Sequence, residues 1–404
     1  WLVFLVGLPA PAQTLSEADF RDPPEWTRPW CYWYWINDQI SKEGITRDLE
    51  AMAEVGIGTA LIGNQWFEDQ PQGPYPVLGD IWLELTRHAI REGGRLGVDI
   101  GLFNSPGWSQ SGGPWIRPEQ SMRYLARSEI QVSGPGAVSG RLPAPGESFQ
   151  DVALLAFPAP AGETETLSEI RISAEPDWPG LEALIDGDPE TAVPLPGDAA
   201  TPLTLSLTFA EPHTLRSLTL LPGPGAFQAG MILEAEVDGQ WQVLREIQYD
   251  RRNPRINVGP LPYGPVYAAF APVKAQHFRL TVGPRNGEGQ LAEAILSGAA
   301  RLEYAVEKQL GKAHPTPSPM WDAYHWPPVP EPGDAQAVVQ PRTVRVLNDL
   351  LQPDGSFTWN APPGDWILQR TGMLPTGTRN HPAAPHATGL EVDKISRDHL
   401  AHHF

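Results

Sequence analysis

The sequence predicts a mixed fold in which an incomplete (β/α)8 TIM barrel is interrupted by an inserted β-sandwich, and the sandwich itself contains a jelly roll. Three observations predict this fold. Residues 28–104 alternate apolar runs with amphipathic stretches, as βαβ units around a parallel sheet do. Residues 128–370 are dominated by short β runs between Pro, Gly and Asp turns. After residue 370, the strand, loop and helix order returns.

The α/β region has clear element boundaries. The first run, RPWCYWYWI, is continuously apolar, which is typical of a strand buried on both faces. Ser41 is a favoured N-cap, and Gly56 and the Gly93-Gly94 pair are favoured helix ends. In chain order the sequence predicts a strand at 28–36, a helix at 41–56, a strand at 57–64, a helix at 80–94 and a strand at 96–104.

The predicted division of the whole chain follows the changes in composition. The N-terminal WLVFLVGLPAPAQ resembles the end of a secretory signal peptide, with an ordinary strand as the alternative, and it predicts an exported, periplasmic or extracellular protein. The C-terminal pattern has no helix stop signal, so we expect a chain truncated at both ends. The predicted segments are a signal-peptide remnant (1–12), barrel units (20–127), the β-sandwich (128–160 and 335–370), the jelly roll (165–305), a Pro-rich connection (306–334) and the resumed, truncated barrel (371–404).

Composition excludes several classes of partner and chemistry. The chain has 29 Lys and Arg against 48 Asp and Glu, a net charge of −19, which disfavours binding to nucleic acid and to anionic lipid. The apolar N-terminal run is too short to span a bilayer, so no membrane insertion is predicted. A single cysteine, Cys31, rules out an intramolecular disulfide. The sequence has no Gly-x-Ser-x-Gly motif and no dinucleotide-binding or phosphate-binding loop.

A turn in the β-rich region carries a second signal. LIDGDPETAV, residues 184–193, resembles the opening of galactose-binding-like, or discoidin-like, modules. Asp186 and Asp188 could bind a structural Ca²⁺ through carboxylate oxygens. An ordinary Asx turn explains the same tripeptide, and the sequence leaves both interpretations open.

Longer motifs, in order along nearly the whole chain, resemble glycoside hydrolase family 106, the α-L-rhamnosidases. They are RPWCYWYWINDQISKEGITRDLEAMAEVGIG, NSPGWSQSGGPWIRPEQSMRYL, DVALLAFP, DGSFTWNAPPGDWILQRTGMLPTGTRNHPA and ATGLEVDKIS. The resemblance implies a (β/α)8 catalytic barrel, calcium dependence, a partner that is a rhamnose-containing oligo- or polysaccharide, and inversion by two carboxylic acids. Family members are longer, so the catalytic glutamates are expected beyond Phe404.

The resemblance gives the strand ends of the barrel a predicted role in sugar binding, because ligands bind at the carboxyl ends of such strands. Aromatic faces suit the apolar side of a deoxy-sugar, and amides suit its hydroxyls. The predicted substrate-binding residues are Trp33, Trp35, Asn37, Asn64, Trp66, Asn104, Trp108 and Gln110, with Glu391, Asp393 and Lys394 as charged candidates. An acidic residue at a helix start is also a common N-cap, which is the alternative for Asp393.

Two other functions fit the same residues. A non-catalytic carbohydrate-binding protein would use the discoidin-like module and an inactive barrel. A glycosidase of this architecture acting on another neutral sugar would use the same aromatic and amide groups. The uncharged loop GLFNSPGWSQSGGPW, residues 101–115, is compatible with all three interpretations.

Overall fold

The structure is a computed structural model that describes residues 16–252, 260–261, 264–310 and 326–404. The predicted signal-peptide remnant and most of the Pro-rich connection lie outside these residues. The chain forms two compact units, one from the residues up to Met122 together with Gly377–Phe404, the other from Arg123–Thr376. Within the described ranges, no helix has both the length and the apolar character needed to cross a membrane.

Strands outnumber helices in the described chain. The helices are α1 (Glu17–Arg21), α2 (Lys42–Glu54), α3 (Asp80–Leu96), α4 (Ala305–Gln309) and α5 (Arg397–His403). The strands are β1 (Trp30–Ile36), β2 (Thr59–Gln65), β3 (Asp99–Leu102), β4 (Gly112–Gly113), β5 (Arg123–Arg141), β6 (Gln150–Pro158), β7 (Ile170–Glu175), β8 (Val193–Pro194), β9 (Leu203–Gly225), β10 (Gln228–Val237), β11 (Gln240–Asp250), β12 (Val266–Asn286), β13 (Gly289–Ser297), β14 (Arg345–Val346), β15 (Ser356–Pro375) and β16 (Leu390–Glu391).

The first unit is built around the parallel sheet β1-β2-β3. Ser41 caps α2 by accepting a hydrogen bond from the Gly44 amide, as the sequence predicts. Helix α3 ends where Gly97 takes φ +70°, a left-handed conformation that favours glycine. Both helices pack on one face of the sheet, where Leu49 of α2 and Leu85 of α3 share a core with the β1 tryptophans. The predicted βαβ pattern is therefore present.

The opposite face of this sheet is exposed along β1 in the described chain, whereas Gly63 and Gln65 of β2 are buried on it. Because side chains alternate along a strand, Tyr32, Tyr34 and Ile36 lie on this face, and all three are exposed. The two tyrosine rings stack with centroids 5.6 Å apart, and Phe103 meets both edge-on. The sequence predicts a strand buried on both faces here, whereas the described residues bury only one.

The second unit contains two antiparallel sheets. One has the order β14-β6-β15-β5, so the strands near residues 128–158 and 356–375 pair as predicted. Their hydrogen bonds form one four-stranded sheet, and β15 bends so that the Trp359 and Trp366 rings come within 5.3 Å in a shared core. The other sheet has seven strands, and its long strands β9 and β12 change register where they bend. Its core contains Trp178, Phe227 and Tyr249 among many leucines.

The coarse prediction of a mixed α/β, mostly sheet protein is therefore confirmed. The β4 and β16 pairing was not predicted, because each strand has only two residues and the two are far apart in the chain. Helix α5 begins at Arg397 after the N-cap Ser396, later than the start predicted just after Asp393.

Candidate functional site

Two separate segments of the first unit are hydrogen-bonded to each other beyond the carboxyl ends of the parallel strands. They are the loop 103–115, which follows β3, and the segment 378–394. Strand β4 pairs with β16, and the Val392 amide donates to the Ser111 carbonyl at 2.7 Å. The loop is also anchored to β2, because the Gly107 amide donates to the Asn64 carbonyl at 2.9 Å. The two most distinctive sequence motifs thus form one local structure.

Close backbone approach explains the glycines in both segments. A Cβ atom at Gly389 would lie 1.9 Å from the Gly113 carbonyl oxygen, so no side chain fits there. Gly107 has φ +84°, and a Cβ there would come within 3.0 Å of the His381 backbone. Asn380 adds side-chain hydrogen bonds to the Pro106 and Ala387 carbonyls.

Glu391 is the buried charge of this region, with only 2% of its surface exposed. Its Oε2 accepts hydrogen bonds from Ser111 Oγ at 2.5 Å and from Lys394 Nζ at 3.1 Å. Its Oε1 has no hydrogen-bond partner among the described residues. Burial by itself raises the pKa of Glu391, but hydrogen bonds from Ser109, Ser111 and Lys394 outweigh it, and the net pKa lies below its usual range. Glu391 is therefore an ionised acceptor at neutral pH.

Other predicted residues lie on the same two segments. Trp108 is 56% exposed, so it presents an open indole surface. Gln110 is partly exposed and takes φ +57°, while Asn104 is exposed. Asp393 Oδ1 accepts from the Ile395 amide at 3.0 Å in a turn before α5, where Ser396 and not Asp393 is the N-cap.

Two predicted asparagines have structural roles instead. Asn37 is completely buried: its amide nitrogen donates to the Phe67 and Gln70 carbonyls, and its oxygen accepts from the Phe67 amide at 2.7 Å. The Asn64 oxygen accepts from the Trp82 indole at 2.9 Å. These contacts occupy the Asn37 amide and the Asn64 amide oxygen, so the structure does not bring the three predicted asparagines into one polar site.

The predicted tryptophans also differ in solvent exposure. Trp33 and Trp35 are 7% and 4% exposed and pack edge to face in the helix-side core, where the Trp33 indole donates to Asp48. Trp66 is partly buried against the same core. Their position follows from strand alternation, which points both β1 tryptophans towards α2 and α3. Among the four predicted tryptophans, only Trp108 has a largely open surface.

Comparison with known proteins identifies the family of the chain. The profile of an α-L-rhamnosidase family, glycoside hydrolase family 106, matches residues 21–404. The chain belongs to glycoside hydrolase family 106. A solved rhamnosidase from Novosphingobium sp. PP1Y is 30% identical with a TM-score of 0.75, over 96% of this chain and 36% of that one. A protein of Formosa agariphila named "Putative beta-glucuronidase" is 40% identical over 167 residues, 39% of this chain and 14% of the relative. This chain thus spans only a minor part of either relative.

The family 106 chain contains further candidate residues that sequence reasoning missed. Gln65 ends β2 on the side of the sheet opposite to Asn64, and Ser111 is the donor to Glu391. A correct alternation pattern for β2 would have favoured Gln65. Nothing local in the sequence indicates the Ser111 contact, because its partner lies 280 residues away.

The predicted calcium turn has a partly suitable donor set. Asp186 accepts hydrogen bonds from the Asp188 amide and the Thr191 hydroxyl, both at 2.8 Å, which is an ordinary Asx turn. Glu293 faces this turn; it is buried, and its Oε1 has no partner in the described ranges. Burial, followed by the negative charge of Asp186, raises the pKa of Glu293. No cluster of three or more His, Cys, Asp or Glu side chains among the described residues is arranged to bind a metal. The hard oxygen donors and the orphaned carboxyl oxygen nevertheless suit Ca²⁺ chemically.

Proposed function

We propose that the complete protein is a glycosidase that removes terminal α-L-rhamnose from oligo- or polysaccharides with inversion of configuration. One carboxylic acid would protonate the leaving oxygen while a second activates water. Both acids are expected outside the described residues. The observation that carries the proposal is the hydrogen-bonded pairing of the uncharged Trp108 loop with the segment that bears buried Glu391, in a chain of family 106.

The charge distribution favours a neutral sugar over a uronic acid. The loop 101–115 has no charged residue, and the nearby cation Lys394 is paired with Glu391. A glucuronide would need a free cation for its carboxylate, whereas a deoxy-sugar needs apolar surface and hydroxyl partners. Trp108 provides the former, and the Glu391 carboxylate can accept a hydrogen bond from a sugar hydroxyl.

The remaining parts of the proposal concern architecture and location. The uncovered face of β1, with Tyr32, Tyr34 and Ile36 exposed, supports a barrel completed by further strands of the same protein. We also propose that the seven-stranded sheet belongs to a galactose-binding-like module. Export to the periplasm or outside the cell would suit action on an external glycan.

We propose a structural calcium ion at the turn of Asp186 and Asp188, which the buried Glu293 faces. When bound, it would neutralise the buried Glu293 carboxyl beside Asp186. Calcium chloride should then raise the melting temperature of the complete protein, and a chelator should lower it. Glu293→Gln should abolish this response. An equal response in the wild type and this variant would contradict the proposed site.

Activity on aryl glycosides tests the main proposal. The complete protein should hydrolyse an aryl α-L-rhamnoside much faster than an aryl β-glucuronide or an aryl β-galactoside. Preference for the galactoside would favour a glycosidase for another neutral sugar. Binding of sugar without turnover of any substrate would favour a carbohydrate-binding protein.

A further inference from the structure

The side chain of Gln65 is unusual among the polar groups of the first unit. Gln65 is the last residue of β2 and is only 4% exposed. Neither its amide nitrogen nor its amide oxygen has a hydrogen-bond partner among the residues that the structure describes. Buried polar groups in proteins nearly always have partners, and an orphaned pair of donor and acceptor destabilises the fold.

The position of Gln65 in the sheet is defined by its neighbours. Its backbone carbonyl accepts a hydrogen bond from the Asn37 amide at 2.8 Å, which fixes the end of the strand. Side chains alternate along β2, so Gln65 lies on the same face as Gly63. A Cβ atom at Gly63 would meet the rings of Phe103 and Tyr34 at 2.9 and 3.1 Å. Gln65 therefore shares the tyrosine face and not the helix-side core.

The part of this face that bears Gln65 and its register partner Ile36 lies at the carboxyl ends of β2 and β1, where ligands of α/β folds bind. It combines aromatic rings with one uncharged amide. Tyr34 stacks on Tyr32, and Phe103 meets Tyr34 edge-on with centroids 6.3 Å apart. An amide offers a donor and an acceptor side by side, which matches two adjacent hydroxyl groups of a sugar ring. An aromatic ring beside it can contact the ring C–H groups.

We propose that the Gln65 amide binds an adjacent pair of hydroxyls on the neutral sugar unit, and thereby contributes to substrate specificity. The inference rests on the proposed glycosidase function and extends it to a residue on the tyrosine face. Binding would supply the hydrogen bonds that the amide does not make with the described residues.

Gln65→Met in the complete protein tests the proposal, because methionine has a similar length but no amide. We expect KM for an aryl α-L-rhamnoside to rise by about tenfold or more with a smaller change in kcat. Free L-rhamnose should no longer raise the melting temperature. The melting temperature of the free variant should stay level or rise, because an unpartnered amide has been removed.

Gln276→Met is the matched control. Its amide donates to the Phe209 carbonyl at 3.0 Å, so this substitution removes a satisfied hydrogen bond in the other unit. It should leave KM unchanged and should not raise the melting temperature. If Gln65→Met binds rhamnose as tightly as the wild type, or if it loses stability without losing affinity, the inference is wrong.

Activity of the wild type on the rhamnoside tests the proposed function separately from the role of Gln65. If the wild type does not hydrolyse the rhamnoside, thermal shifts with a panel of neutral monosaccharides still test Gln65. Loss of a wild-type shift in Gln65→Met supports the inference even then. A wild type that responds to no neutral sugar contradicts both proposals.

Discussion

Removing the Ser111 hydroxyl should weaken the contact between the two motif segments. Ser111 donates to the buried Glu391 carboxylate at 2.5 Å, and a hydrogen bond to a charged group contributes about 1.5–3 kcal/mol. Lys394 still donates to Glu391 in Ser111→Ala, so we expect a loss near the lower limit, about 1.5–2 kcal/mol. This corresponds to a roughly 10- to 30-fold larger equilibrium constant for local opening, and therefore to faster amide exchange.

Amide hydrogen exchange in the complete protein measures this opening. The reporter is the Val392 amide, which donates to the Ser111 carbonyl, and amides of β2 serve as an internal reference. Ser133→Ala is the matched control, because Ser133 donates to the Asp365 carboxylate at 2.6 Å on the exposed surface. That substitution should cost less than about 0.5 kcal/mol. Unchanged Val392 exchange in Ser111→Ala would refute the reasoning.

The pH dependence of the same contact has a defined sign. The folded-state pKa of Glu391 is lowered, so its ionised form stabilises the fold at pH values above the usual glutamate pKa of about 4.3. This contribution is lost as the pH falls through the folded-state pKa. Val392 protection should therefore decrease on acidification, and it should do so less in Glu391→Gln.

Three further predictions follow from the first unit. Trp108→Ala in the complete protein should impair substrate binding or turnover more than it lowers the melting temperature, because the ring is largely exposed. An unchanged rate with a large drop in melting temperature would show instead that Trp108 serves packing. Asn37→Ala should lower the free energy of unfolding by about 2–4 kcal/mol in chemical denaturation, because it removes three hydrogen bonds from a residue at φ +49°. Normal stability with reduced activity would contradict this structural role. Burial raises the folded-state pKa of Asp38, so ionisation of this carboxyl opposes folding as the pH rises through that pKa. Asp38→Asn should therefore raise the melting temperature at neutral pH, and the difference from the wild type should shrink towards pH 4. A difference that stays constant with pH would argue against the raised pKa.

The sequence predicts the elements of the parallel sheet well, because caps and apolar periodicity are local signals. Ser41 and the apolar β1 run are examples, and both occur where expected. These features depend on residues close together in the chain.

The sequence is less informative about which side chains face a ligand. A shift of one residue along β2 separates Asn64, bound by the Trp82 indole, from Gln65, which has no partner among the described residues. The apolar β1 run conceals the same alternation, because Trp33 and Trp35 occupy the core side, whereas Trp30 and the tyrosines are exposed on the other face. The buried Ser111 and Glu391 pair depends on tertiary structure, which no local pattern specifies.

Proton NMR of the sugar first released by the complete protein from an aryl α-L-rhamnoside tests the proposed function most directly. An inverting α-L-rhamnosidase releases β-L-rhamnose first, and the α-anomer then accumulates by mutarotation. We predict this order. Initial release of α-L-rhamnose, or no release of rhamnose at all, would contradict the proposal.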